Sequence, residues 1–218
     1  MNIKNFKEKL IEKLYSLSDI NKSIYSMYCI ERIYGLYLLY TEKFNINTIY
    51  ANQIKQRLWE SIFYSNKDLN NLNREIEDIL PKEDFQGWEV ALAINMSICF
   101  DISFKSMNND HKNEVSGLYV YDSIFQVCCF LSHEKFIDKY LLNRIENSVI
   151  IAEEVNYQIQ YLQYLEDKKV SLEELKFYKN YWENNTLSIQ YIKDKWQNNV
   201  SDVLLKNSTR TTPRIQKK

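Results

Sequence analysis

The strongest feature of the hydrophobic pattern is the run from Ile24 to Tyr40, IYSMYCIERIYGLYLLY, where only Ser26, Glu31, Arg32 and Gly35 interrupt apolar residues. A helix that is apolar on nearly all sides must be wrapped by protein or by lipid. Glu31 and Arg32 cut the run in the middle, and the part free of charge falls short of the roughly 18 residues a membrane span needs. The pattern therefore predicts the central helix of an all-α protein. Before it, Ile3, Phe6, Leu10, Leu14 and Leu17 recur at helical spacing and predict an amphipathic helix over 3–17. Ser18-Asp19 supplies the break and cap.

Beyond Asn45–Asn47, a third helix from about Thr48 carries Ile54, Leu58 and Ile62, with Trp59 and Phe63 beside them. Asn66 is the expected N-cap of a short polar helix that Pro81 ends. After the loop PKEDFQGW comes a second apolar helix, Trp88–Met107, then a break at Asn108–Asp110. A sixth helix is expected over Leu118–Leu131, a bend around Ser132–Phe136, and a seventh helix over 137–166. Ser171-Leu-Glu-Glu174 has the capping-box pattern and opens one long last helix. The expected fold is a single irregular bundle of seven or eight helices around the central apolar helix. It forms one domain over 1–205, followed by a basic tail over 206–218 that is expected to be disordered. No internal repeat of about 20 to 50 residues is present, and no stretch alternates as a strand would.

Composition agrees with this reading. Gly 3 and Pro 2 are few, as helices joined by short connections allow. Lys+Arg 28 against Asp+Glu 29 leaves no basic field for nucleic acid. Tyr 17 is high, in part because the chain is rich in Asn, Lys, Ile and Tyr, a bias that points to an AT-rich genome. The start, MNIKNFKEKLIEKLYSL, lacks the apolar segment of a secretory signal, so a cytoplasmic protein with reduced thiols is expected.

Candidate chemistry is sparse. Glu31 and Arg32 sit inside the apolar helix, and a buried charge needs a partner. Arg32 is expected to pair with Glu60, Asp101 or Asp122. The Glu31, Arg32, Glu60 set then reads either as an ion pair that fixes helix packing or as a polar pocket. Metal ligands are present in type, as Cys29, Cys99, Cys128, Cys129, His111 and His133, but without CxxC, HExxH or Glu-x-x-His spacing. No metal and no cofactor is expected. A Cys-His nucleophile has no sequence signature here, and three glycines cannot build a phosphate cradle. In VNYQIQYLQYLE, Val155, Ile159 and Leu162 share one helix face, and Tyr157, Tyr161 and Tyr164 share nearly the opposite one. That tyrosine stripe either packs on the last helix or receives a protein partner. Leu175, Trp182, Ile189, Trp196 and Val203 recur at sevenfold spacing, which suits a helix along its own bundle or a homodimer seam. Arg210, Arg214, Lys217 and Lys218 form a small basic patch read as a solvated end.

Three stretches carry a resemblance: Cys29-Ile-Glu-Arg-Ile-Tyr34, Gln56-Arg-Leu-Trp-Glu60 and Ile79-Leu-Pro-Lys-Glu-Asp-Phe85. In order and spacing they resemble the YjaG-like proteins, domain-of-unknown-function family 416. The likeness covers residues 20–107 well, the sixth helix more weakly, and the last two helices vaguely. One departure is Gly35, where members of that family tend to have Pro. The resemblance implies an all-helical fold and a bacterial origin; it implies no reaction, and no catalytic residue carries over. The first functional expectation is a non-enzymatic protein-binding module, for example an immunity protein that neutralises a toxin. The alternative is a small-molecule-binding or enzymatic protein built on the Glu31/Arg32/Glu60 cluster.

Overall fold

The computed structural model describes residues 3–64, 69, 71–82, 84–107, 115–132, 138–166 and 168–197. They form α1 (Ile3–Ser16), α2 (Asp19–Lys43), α3 (Ile49–Tyr64), α4 (Leu72–Asp78), α5 (Trp88–Met107), α6 (Ser116–Ser132), α7 (Lys139–Glu146), α8 (Val149–Glu166) and α9 (Leu172–Asn184). A further helix, α10, occupies residues 189–197. No strand occurs among the described residues. The tail over 206–218 lies outside them.

The apolar run is the axis of the fold. Every residue from Ser23 to Glu31 is buried, so α2 is covered all round its middle. Tyr25, Met27, Ile30 and Leu36 are at most 1% exposed. The apolar α5 lies along it, and α6 packs against both. On one side α3 and α4 close over α2 and α5; on the other, α8 covers α6 and carries α1 on its flank. By length and composition α5 could cross a membrane (mean hydropathy 1.3), yet 56% of that window is buried within the fold.

The helix starts follow the local chemistry. Ser18 accepts from the Asn21 amide at 3.4 Å and caps α2. Ser171 and Glu174 form both halves of the capping box at α9. At α4 the N-cap is Asn71, held at φ 64 in the left-handed region, and the expected cap Asn66 lies outside the described residues.

Two expected helices are each broken in two, which raises the count above seven or eight. The seventh divides at Asn147-Ser148, where the buried Ser148 re-starts the chain by accepting from the Ile151 amide at 3.4 Å. The two pieces then bury different neighbours, α7 packing on α6 and α8 also reaching α2. The long last helix divides at Asn185–Ser188. There the Leu187 amide donates to the Arg32 carbonyl at 2.7 Å, and the Gly35 amide donates to Thr186 Oγ1 at 2.8 Å. A side chain at 35 would collide, since a Cβ built on Gly35 lies 2.4 Å from the Leu187 carbonyl oxygen. The sevenfold pattern is therefore not one continuous seam. Leu175 and Trp182 belong to α9, Ile189 and Trp196 belong to α10, and Val203 lies outside the described residues.

Candidate functional site

Neighbouring residues on a helix point about 100° apart, so Glu31 and Arg32 of α2 serve two different interfaces. Glu31, 1% exposed, faces α3. It accepts from Trp59 Nε1 at 2.8 Å and from Lys55 Nζ at 2.9 Å. Burial raises its carboxyl above the usual carboxylate range, against the opposing pull of Lys55 and of the Trp59 hydrogen bond. Lys55 Nζ also lies 4.2 Å from the Tyr34 ring centre and 3.7 Å from Glu183 of α9. Glu183 in turn accepts from Lys179 Nζ at 2.8 Å.

Arg32 faces the other way. Its Nη2 donates to Glu154 Oε2 at 2.6 Å and its Nη1 to the Asn185 carbonyl at 2.7 Å. Burial opposes the guanidinium charge, and Glu154 more than offsets that, leaving Arg32 above its usual pKa. Glu154 also accepts from Gln158 Nε2 at 3.2 Å, and Gln158, fully buried, accepts from Tyr25 OH at 2.7 Å. A Cβ on Gly117 would fall 2.1 Å from Gln158 Oε1, so α6 can approach this network only through glycine.

The expected partners of Arg32 are thus replaced by one on α8. Asp101 pairs with Lys105, Asp122 accepts from Asn95 Nδ2 at 2.9 Å, and Glu60 accepts from Gln56 Nε2 at 2.8 Å. Glu31, Arg32 and Glu60 do not form one cluster. A signal for Glu154 was present in the sequence: it and Gln158 fall on the stripe of Ile151, Val155, Leu162 and Leu165, where a charge or amide must be buried.

Glu60 and Lys55, the partner of Glu31, nonetheless line one feature. Between α3 and α9 runs a groove of about 640 Å³, lined by Lys55, Trp59, Glu60 and Phe63 on one wall and by Lys176 and Glu183 on the other. Of the Glu31–Lys55 pair, Lys55 is the member that lines the groove. Trp59, 1% exposed, stacks on Phe63 (centroids 5.3 Å apart) and on the buried Trp182 (5.8 Å), so this aromatic layer backs the groove and Phe63 is its more accessible ring. A smaller hollow of about 400 Å³ lies on the far side of α3, against α4.

The tyrosine stripe of α8 divides. Tyr161 turns inward and packs on Tyr28 at 4.8 Å and Trp182 at 5.1 Å. Tyr164 meets Tyr178, whose hydroxyl donates to it at 2.5 Å. Tyr157 remains 52% exposed. The sequence reading missed two α9 aromatics that also face solvent, Phe177 at 64% and Tyr181 at 53% exposed, with rings stacked 6.3 Å apart.

Cys29, Cys99 and Cys128 are buried, and burial pushes each thiol up, that of Cys128 to about 12. Among the described residues no group of three or more His, Cys, Asp or Glu is placed to hold a metal ion; His111 and His133 lie outside them.

A family model described as "Protein of unknown function (DUF416)" matches residues 9–189. The match extends the resemblance well past residue 107, through α8 and α9. Among solved structures the chain is similar to a crystal structure of a DUF416 family protein from Shewanella baltica OS155. The TM-score is 0.62 at 16% identity, over 82% of this chain and 95% of that one, a likeness of fold. No curated protein matches. The three stretches that carry the resemblance meet around α2. Trp59 of the second donates to Glu31 of the first, and Phe85 of the third stacks on Phe44 at 4.5 Å beyond the end of α2.

Proposed function

The chain belongs to the DUF416 protein family, whose function is unknown, and on that premise we propose that it is a ligand-binding protein whose site is the α3/α9 groove. The observation that carries this reading is the groove itself. Its volume of about 640 Å³ falls within the range of small-molecule sites, roughly 300–1,000 Å³. Phe63 lines it, and one of its lining cations, Lys55, is held from behind by the buried Glu31, whose carboxyl pKa is raised by burial; groups perturbed in this way gather at functional clefts. Binding rather than catalysis fits the side chains present. Glu31 is enclosed and already holds two donors, and the buried thiols are poor nucleophiles.

Asn180 is exposed and lines the groove, so Asn180→Trp fills it without disturbing the core. Fragments detected by ligand-observed NMR on the wild type are expected to lose binding to this variant. A fragment library that binds both forms equally, or neither, defeats the proposal.

A second reading, docking of a protein partner such as a toxin, is favoured by one observation: the exposed rings of Tyr157, Phe177 and Tyr181. Tyr157→Ala is its clean probe, because Tyr161 is a packing residue whose removal would loosen the fold. A stoichiometric partner recovered by wild type and lost by Tyr157→Ala would favour docking over the groove.

A further inference from the structure

The charges of the α3/α9 groove can be sorted by whether the protein already satisfies them. Lys55, Lys179, Glu31 and Glu183 form a closed set of two cations and two carboxylates, linked by contacts of 2.9, 3.7 and 2.8 Å. Two lining charges remain. Glu60, on the α3 wall, accepts only from the neutral Gln56 amide at 2.8 Å and has no cation partner among the described residues. Lys176, on the α9 wall, has no hydrogen bond or ion pair among the described residues. One uncompensated carboxylate and one uncompensated ammonium therefore border the same hollow from opposite walls. The same hollow is lined by the half-buried Phe63, whose inner face stacks on the buried Trp59 at 5.3 Å between centroids.

From this juxtaposition we infer that the groove takes a small zwitterion with a planar or aromatic body, of the amino-acid or short-peptide class. Its ammonium meets Glu60, its carboxylate meets Lys176, and its ring lies along the half-buried Phe63. A monovalent ion could satisfy only one of the two charges. A ligand without a ring would leave the accessible face of Phe63 uncovered, and ring contacts of this kind contribute beyond the area they bury. The inference rests on the groove being a ligand site and adds to it the chemistry of the ligand.

The test uses the full chain and three probes that differ by one charged group: phenylalanine, phenylalaninamide, which lacks the carboxylate, and 3-phenylpropionate, which lacks the ammonium. Calorimetry on the wild type is expected to give phenylalanine an affinity about tenfold above either truncated probe, in line with charge-assisted hydrogen bonds. Glu60→Gln should erase the preference over 3-phenylpropionate and keep the preference over phenylalaninamide. Lys176→Gln should do the reverse. Lys176 is exposed and Glu60 half-buried on the groove walls, neither in the core, so circular dichroism should match the wild type. Equal binding of all three probes by the wild type, or preferences that survive both substitutions, would overturn the zwitterion inference. If fragments are then still excluded by Asn180→Trp, the groove remains a ligand site of another chemistry. If neither probes nor fragments bind, both readings fall together.

Discussion

Replacing Gly35 by Ala should destabilise the protein, although helix propensity alone says the opposite. In the interior of an exposed helix, Ala is better than Gly by about 1 kcal/mol. Here the new methyl would sit 2.4 Å from the Leu187 carbonyl oxygen and 2.9 Å from the Thr186 methyl. The nearest obstacle is backbone, so no side-chain rotation relieves it, and the 185–187 loop must retreat. That retreat weakens three hydrogen bonds: Leu187 amide to Arg32 carbonyl at 2.7 Å, Gly35 amide to Thr186 Oγ1 at 2.8 Å, and Arg32 Nη1 to the Asn185 carbonyl at 2.7 Å. At about 1 kcal/mol each the loss is about 3 kcal/mol, and the propensity gain returns about 1 kcal/mol. The net cost is about 2 kcal/mol, within the range for overpacking. For a chain of this length it corresponds to a fall of about 4–8 °C in Tm. Urea denaturation followed by far-ultraviolet circular dichroism reads it directly. Thr186→Val, which removes the hydroxyl without adding bulk, should cost about 1 kcal/mol by the same assay. A Gly35→Ala protein as stable as wild type, or more so, would refute the claim that the loop is docked against the axis of the fold.

Three further outcomes follow from the same geometry. Arg32→Met strands the 2%-exposed Glu154 and should cost about 3–5 kcal/mol in thermal or chemical denaturation, whereas Arg32→Met with Glu154→Leu should recover most of it; an unchanged Tm for the single variant would mean the pair contributes nothing. Glu31 has a raised carboxyl pKa, so the folded state holds its proton more tightly than the unfolded one. Its contribution to stability is therefore full below the unfolded carboxylate value and is lost as pH rises through the folded one. Relative to Glu31→Gln, wild type should gain stability as pH falls toward the ordinary carboxylate range, and the opposite slope would show that Lys55, not burial, dominates. Ser171→Ala removes the α9 cap and should cost about 1 kcal/mol, with no change expected in the contacts of α2.

Much of the architecture is written in local pattern. The Ile24–Tyr40 run is apolar on too many sides to be anything but enclosed, and the bounds of α1, α3 and α5 follow from period and caps. The two helix breaks were hidden because each falls where helical periodicity continues on both sides. Asn147-Ser148 and Asn185–Ser188 carry no Pro or Gly, and their reason is the neighbour each piece must reach. The resemblance, too, was legible in the three short stretches, while the helices beyond residue 107 matched the family with little visible motif.

The site divides in the same way. That Glu31 and Arg32 needed partners was readable from the sequence, because a charge in an apolar helix cannot stay unpaired. Which partners they have was not, since Lys55 reaches Glu31 from 24 residues away and Glu154 reaches Arg32 from 122 residues away. The tyrosines of α8 show the same limit: spacing puts Tyr157, Tyr161 and Tyr164 on one face, but only the crossing of α9 decides that two are covered and one is not. Sequence alone thus determined which segments coil and which of their faces seek cover, because those depend on neighbours three or four residues away. The groove, with two lining charges that have no ion-pair partner among the described residues, belongs to the tertiary structure, because it exists only where helices distant in the chain are held side by side.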